Sequence, residues 1–302
     1  MIKPSLLTES PAALAALSRV SVLYTDLDGT LLAPGGSLLA DAAGAPSTLV
    51  AEAIVSLSRA LVSVVPISGR TRLQLTEISR LLGWTDFIAE LGCVLVRGTG
   101  AGREVIYNTG DWPDDLLSEG RTPYEAIRDS GAFAALQQAF PDCIEYHAPW
   151  HHDRQATHLL RGSVDTAEAQ ATLDTLDLPV AILDNGIVRP PAHGLRCEGP
   201  IHGYHLVPRG VSKEQALALD LGKRGLVRAE AAAIGDSATD LGMAPAVAVM
   251  ALVANAFESP RLAAALSQTP AHNVVRLSGE RGEGWSEFAS AWLAARENDQ
   301  KR

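Results

Sequence analysis

The chain has 302 residues, 47% of them hydrophobic and 20% charged, with a formal net charge of −10. Its length allows two domains, its composition is that of a globular protein, and its acidic balance argues against a nucleic-acid partner. Three widely spaced cysteines, Cys93, Cys143 and Cys197, offer neither a zinc-like spacing nor a disulfide framework, and the most apolar stretch, Ala244 to Phe257, is too short to span a bilayer. The first residues, with Lys3, Pro4 and Glu9, do not form a secretory signal. Reduced thiols and this start suggest a cytoplasmic protein with no membrane partner.

Pro11 to Arg19 reads as a short helix. It leads into Val20-Ser21-Val22-Leu23-Tyr24-Thr25-Asp26-Leu27-Asp28-Gly29-Thr30, an apolar run ending in two carboxylates and a turn signal. Such a run reads as a buried strand of a parallel sheet, and ligands of open α/β sheets bind beyond the carboxyl ends of those strands. The two-residue period aims Asp26 and Asp28 the same way, with Leu27 opposite. Ala33 to Pro46 is a Gly, Ala and Pro-rich loop, and Ser47 is the expected N-cap of a helix over Leu49 to Leu61.

A second buried strand, Leu61 to Ser68, runs into Gly69-Arg70-Thr71 and a helix carrying Leu75, Ile78, Leu81 and Leu82 on one face, stopped by Gly83. Ser68 there either meets a phosphate at a helix N-terminus or, like Thr71, only caps the helix. Asp86 to Glu90 reads as a third strand. Gly92 to Arg97 and Glu104 to Tyr107 form a hairpin around the glycines at 98, 100 and 102. Those glycines have the wrong spacing for a dinucleotide loop and read as a turn.

Between Asn108 and about Gly203 the βα alternation breaks, and Trp, Pro and His collect. A strand over Gln155 to Leu160, a helix over Thr166 to Leu176, and a strand over Val180 to Leu183 with a turn at Asp184-Asn185-Gly186 describe a small antiparallel α/β insert. His147, His151 and His152 lack the further ligand of a tetrahedral metal set and read as loop residues facing solvent or substrate.

The first pattern returns at Tyr204. Ser212 and Gln215 make a capping box, so a helix begins at Lys213, carries Ala216, Leu217 and Leu219, and ends near Gly222. A cation in a first turn opposes the helix dipole, so Lys213 either faces anions or points to solvent. Ala231 to Asp236 is another buried strand, with Asp240 one turn beyond. Further strands over Val247 to Val253 and Asn273 to Leu277, then a helix over Trp285 to Ala295, complete the chain.

Asp26, Asp28, Asp236 and Asp240 thus converge at strand ends with Ser68 and Lys213. Four carboxylates in one cleft call for a cation, and all-oxygen ligands favour Mg²⁺, which keeps waters and shares substrate phosphate. A hydroxyl and an ammonium suit phosphoryl oxygens.

Asp26-Leu27-Asp28-Gly29-Thr30, Ser68 in Ile67-Ser68-Gly69-Arg70, Lys213, and Gly235-Asp236-Ser237-Ala238-Thr239-Asp240 stand in the order of the four motifs of the haloacid dehalogenase (HAD) superfamily of phosphatases, which the chain resembles. The insert resembles the class-IIB cap of Cof-type and sugar-phosphate phosphatases, a group that includes sucrose-phosphate, trehalose-phosphate and mannosyl-3-phosphoglycerate phosphatases and phosphomannomutase. Gly282-Glu283-Gly284-Trp285 is similar to a segment of the mannosyl-3-phosphoglycerate enzymes. Thr239 departs from the Asn that many relatives carry there, which bears on a supporting contact rather than on a metal ligand.

The resemblance implies an α/β fold: a Rossmann-like HAD core over 1–90 and 204–302, its parallel sheet flanked by helices, with an α+β cap over 91–203. It implies a Mg²⁺-dependent phosphatase acting on a small phosphorylated metabolite such as a sugar phosphate. Asp26 would be the nucleophile that forms an aspartyl-phosphate, and Asp28 the general acid and base. Asp26, Gly29, Ser68, Gly69 and Lys213 would hold the phosphate. The Asp26 carboxylate, the Asp28 carbonyl and Asp236 would hold Mg²⁺, with Asp240 joining through water or orienting Lys213. In the cap, composition alone nominates His151, His152, Arg154, Asp184 and Arg196 as substrate contacts. A phosphomutase would use the same residues, and a non-catalytic sugar-phosphate-binding regulator is the reading from another class. Nothing in the sequence speaks to oligomeric state.

Overall fold

Successive residues of the first strand enter opposite cores. Leu23 packs with Val64, Ala232 and Ile234 on one face, while Val22 and Tyr24 pack with Val65, Ala231 and Ala233 on the other. This is the alternation of a strand buried on both faces. The computed structural model describes residues 4–118, 120–188, 194–268 and 272–300.

The chain begins with α1 (Pro11–Leu17), β1 (Val22–Thr25), α2 (Leu49–Arg59), β2 (Ser63–Pro66), α3 (Arg72–Leu82) and β3 (Phe87–Ala89). A hairpin of β4 (Val94–Arg97) and β5 (Glu104–Tyr107) follows. Next come α4 (Pro123–Asp129), α5 (Ala132–Ala139), β6 (Ile144–Tyr146), β7 (His158–Gly162), α6 (Thr166–Leu173), β8 (Val180–Ile187) and β9 (His202–Pro208). The last part is α7 (Lys213–Arg224), β10 (Ala231–Gly235), α8 (Ala238–Leu241), β11 (Val249–Leu252), α9 (Pro260–Gln268), β12 (Val274–Arg276) and α10 (Arg281–Gln300).

Five parallel strands form the central sheet in the order β12-β11-β10-β1-β2. Residues of α1, α2, α3 and α10 join one core, and residues of α7, α8 and α9 join the other. The expected layered α/β core is therefore present. A second, antiparallel sheet in the order β6-β7-β9-β8 carries its own core with α4, α5 and α6, including Trp112, Ile127, Leu136, Leu160, Leu173 and Leu206. Among the described residues, no helix is long and apolar enough to cross a membrane.

Several boundaries differ from expectation. The hairpin β4-β5 pairs with β3, and its Val94, Leu95 and Val96 are buried in the two main cores. β9 pairs with β7 and β8. The hairpin thus shares a sheet with β3, and β9, which runs to Pro208, belongs to the antiparallel sheet. Apolar hairpins look alike in sequence whichever core receives them. The expected turn at Asp184-Asn185-Gly186 is a bulge inside β8, where the pairing register shifts between Asp184 and Ile187. Gly186 has φ 92° and donates its N–H to Asp184 Oδ1 at 2.7 Å, which bends the strand without reversing it. The helix at Lys213 runs past Gly222 and stops at Gly225, which takes the left-handed conformation (φ 66°). Thr48, not Ser47, precedes α2, and the final helix starts at Arg281, four residues early.

Candidate active site

Asp26 follows the last residue of β1, its N–H bonded to the Ile234 carbonyl of β10 at 3.0 Å. The chain then curls over Leu27, whose carbonyl accepts from the N–H groups of Leu31 and Leu32. Gly29 makes this possible: it has φ 90°, and a Cβ there would lie 2.3 Å from Oδ2 of Asp236. Gly235 ends β10 under the same pressure, since its Cβ would lie 2.2 Å from that of Asp240. The opening motif and the last motif are thus packed against each other.

A layer beneath holds the loop. Trp285, fully buried, donates Nε1–H to Thr25 Oγ1 at 3.0 Å. Asn255 donates to the Gly29 carbonyl at 2.9 Å and accepts from the Arg281 N–H at 2.8 Å. A Cβ on Gly282 would lie 2.4 Å from Val50. The late Gly-Glu-Gly-Trp segment therefore supports the Asp26 turn from below.

Lys213 is buried at the start of α7, where Ser212 accepts the Gln215 N–H at 3.1 Å. Only this half of the expected capping box forms, because Gln215 Oε1 accepts from Asn108 instead. The Lys213 ammonium donates to Asp26 Oδ1 at 2.8 Å and to Asp240 Oδ1 at 2.7 Å. The other Asp240 oxygen accepts from the N–H groups of Asp236 and Ser237 and from the Ser237 hydroxyl.

Burial pushes the Asp26 carboxyl up to about 8, with Asp240 and Asp236 adding to it and Lys213 opposing. Burial, and then Asp240, raise Asp236 to about 6. Burial would lower Lys213, but Asp240 and Asp26 outweigh it and hold the ammonium charged. One ammonium does not neutralise this acidic group. Oxygens of Asp26, Asp236 and Asp240 lie within 4.8 Å of one another. Among the described residues, Lys213 is the sole hydrogen-bond donor to the Asp26 carboxylate, and Thr30 the sole side-chain donor to Asp236. An acidic group short of positive charge, with oxygens to spare, fits a divalent cation.

Ser68, 2% exposed, lies in the loop after β2, where its hydroxyl oxygen accepts the Arg70 N–H at 3.2 Å. Thr71 caps α3 in a reciprocal box with Gln74, which leaves Ser68 free of that task. Asp28 and Asp26 line one cleft yet have different environments. Asp28 is half exposed and paired with Arg70, whose Nε and Nη2 donate to its two oxygens at 2.8 and 2.6 Å.

The cleft, of about 670 Å³, brings together Asp26, Asp28, Ser68, Gly69, Arg70, Lys213, Asp236 and Asp240. Its opposite wall comes from the insert: His147, Trp150, Arg154, Leu159, Asn185 and His205. Of the five insert residues nominated from composition, Arg154 alone lines it. The His151 and His152 rings meet at a tilt of 39°, and His151 stacks on Tyr146, outside the cleft lining. Asp184 pairs with His202 and with Arg261 of α9, which bridges the insert to the core. Arg196 lies outside the cleft, its N–H on the Asp142 carbonyl. His147 and His205, both buried, each leave Nδ1 without a protein partner. Their place follows from β6 and β9 pairing beside β7, which the sequence pattern did not indicate. Arg70 is legible in the sequence as a cation beside the Ser68-Gly69 pair.

No family model matches the chain. A phosphoglycolate phosphatase of Methanoculleus marisnigri is 28% identical over 238 residues, 78% of this chain and 85% of that protein. A sucrose-phosphatase of Synechocystis sp. PCC6803, solved with sucrose and phosphate, superposes with a TM-score of 0.61 at 16% identity, covering 91% of this chain and 98% of that one. A phosphatase of the haloalkanoate (HAD) superfamily from Bacteroides thetaiotaomicron gives 0.57 at 17% identity, covering 93% and 95%.

Proposed function

We propose that this chain, a haloacid dehalogenase-superfamily phosphatase by fold, motif order and site, is a Mg²⁺-dependent enzyme. It hydrolyses a phosphate monoester of a sugar or related small metabolite through an aspartyl-phosphate. The observation that carries this reading is the convergence of Asp26, Lys213, Asp236 and Asp240 in one buried group, beside Ser68 and Asp28 in one cleft.

Asp26 attacks phosphorus while the leaving oxygen departs on the other side and takes a proton from Asp28. Water then attacks the aspartyl-phosphate, gives its proton to Asp28, and releases inorganic phosphate and free Asp26. Lys213 and the Ser68 hydroxyl hold the equatorial oxygens, whose charge must be met in a loose transition state. Asp26, Asp236 and the Asp28 carbonyl are the groups that would hold Mg²⁺, which supplies charge neutralisation at the phosphoryl oxygens. Asp240, occupied by Lys213 and Ser237, orients the lysine. The insert covers the leaving group and excludes bulk water.

The sucrose-phosphatase fold and the name of the Methanoculleus relative both support small phosphate esters as substrates. The test is phosphate release with Mg²⁺ over a panel of sugar phosphates and phosphorylated hydroxy acids, beside Asp26→Asn. We expect release by the wild type, none without the metal and none by the variant. Equal release by both proteins would remove Asp26 as nucleophile.

A further inference from the structure

Glu90 is fully buried, lies outside the cleft lining, and has no part in the chemistry above. It follows β3 with φ 52°, and Leu91 after it has φ 60°. Two consecutive non-glycine residues in the left-handed region are uncommon and persist only where the surroundings over-determine them. The Glu90 N–H donates to the Arg70 carbonyl at 3.0 Å, and the Leu91 N–H to the Ser68 carbonyl at 3.1 Å. The strained turn is therefore bonded to both ends of the Ser68-Gly69-Arg70 loop.

The side chain points into the insert. Oε1 accepts from the N–H of Gln155 at 2.8 Å. Oε2 accepts from the N–H groups of Ala156 and Thr157 at 3.1 and 2.8 Å, and from the Thr157 hydroxyl at 2.9 Å. Three successive N–H groups turned to one carboxylate form an anion nest filled from within the chain. The Thr157 oxygen also accepts from Arg154 Nη1 at 2.8 Å, and Arg154 donates back to the Gly69 carbonyl at 3.3 Å. The circuit closes: phosphate-side loop, Glu90, residues 155–157, Arg154, and the loop again.

We infer that Glu90 is a positioning residue that sets the insert's substrate wall, through Arg154 and the start of β7, at a fixed distance from the Ser68 loop. The inference rests on the phosphatase reading for its kinetic arm only. Glu90 holds the reacting end and the recognising end of the cleft in register, so a leaving group that reaches the wall is gripped while the phosphoryl group is aligned.

Glu90→Gln keeps the volume but turns an amide NH₂ toward N–H donors. Thr157→Val removes the hydroxyl that links Glu90 to Arg154. For both variants, amide hydrogen exchange is expected to rise about tenfold or more at residues 155–157 and also at 68–71, with α5 unchanged. In kinetics, kcat/KM for the sugar phosphate that the wild type turns over best should fall about tenfold or more, mainly through KM. For acetyl phosphate, too small to reach the wall, it should stay within about twofold. Equal losses on both esters, or faster exchange at 155–157 with 68–71 unmoved, would overturn the coupling. If Glu90→Gln does not fold, Thr157→Val decides alone. A wild type inactive on every ester would count against the phosphatase reading, and the exchange comparison would still decide the coupling.

Discussion

Arg70 holds both carboxylate oxygens of Asp28, in a two-pronged pair at 2.8 and 2.6 Å. In the proposed mechanism Asp28 would have to leave this pair to serve the leaving oxygen, and an arriving phosphate dianion would be a second partner for the guanidinium.

The expected consequence depends on the leaving group. Asp28→Asn should lower turnover of an alkyl phosphate by roughly 10² or more, because a poor leaving group needs its proton, while Arg70→Gln, which removes a cation for the phosphate and not the acid, should cost about tenfold whatever the leaving group. With p-nitrophenyl phosphate, which departs as a stable anion, the Asp28→Asn loss should shrink to a few-fold. A series of esters of graded leaving-group pKa measures this, and a uniform loss for Asp28→Asn along the series would refute its role.

Gly29→Ala places a methyl group against the Asp236 carboxylate on a backbone with φ 90°. The left-handed conformation alone costs about 1–2 kcal/mol for an alanine, and the clash must displace Asp236 besides. Calorimetric titration should show Mg²⁺ affinity weakened by about tenfold or more, as for a displaced ligand carboxylate. Unchanged affinity would mean that Asp236 does not bind the ion.

Asp240→Asn removes one of the two carboxylates on the buried Lys213 ammonium. Lys213 keeps Asp26, so the cost is that of one lost hydrogen bond to a charged group, about 1.5–3 kcal/mol, partly offset by less repulsion among the carboxylates. We expect about 1–2 kcal/mol lower stability in denaturant titration without metal, together with loss of activity. A variant as stable as the wild type would show that Asp240 is not what keeps Lys213 in place.

His158, in the insert, has no exposed surface. It stacks on Tyr124 with ring centroids 4.0 Å apart. Its Nε2 lies 2.9 Å from the Tyr124 carbonyl, which can only accept, so Nε2 carries the proton and Nδ1 accepts from the Tyr146 hydroxyl at 3.0 Å. Burial lowers its pKa from 6.5 to about 4, with Arg128, Arg154 and His151 adding to the fall. Between those values the unfolded chain binds the extra proton, so stability is full above pH 6.5 and falls as pH drops toward 4. The difference in stability between wild type and His158→Gln should therefore shrink by about 2–3 kcal/mol from pH 7.5 to pH 4.5. A pH-independent difference would mean that His158 titrates in the fold as it does in the unfolded chain.

Much of the core's chemistry is readable without coordinates. Asp26, Asp28, Ser68, Lys213, Asp236 and Asp240 each stand at the end of a buried apolar run or the start of a helix, and strand ends of a parallel sheet meet along one edge. What each does there is less readable. In the sequence Ser68 and Thr71 are both candidates for the helix cap, and in the structure Thr71 takes it, paired with Gln74. Asp26 and Asp28 share a spacing, but one is buried on Lys213 and the other half exposed on Arg70.

The insert is the opposite case. His151, His152, Asp184 and Arg196 were picked for residue type, and pairing with Tyr146, His202, Arg261 and the Asp142 backbone takes them elsewhere. His147 and His205 reach the cleft because β6 and β9 flank β7. By itself the sequence determined the layered core, the order of its strand ends and the residues gathered there, since local hydrophobic period and turn chemistry suffice for that. Only the tertiary structure decided which sheet receives the β4-β5 hairpin, which insert side chains line the cleft, and that Glu90 bonds to residues 155–157. Antiparallel pairing partners and long-range hydrogen bonds join residues far apart in the chain and leave no periodic trace in it.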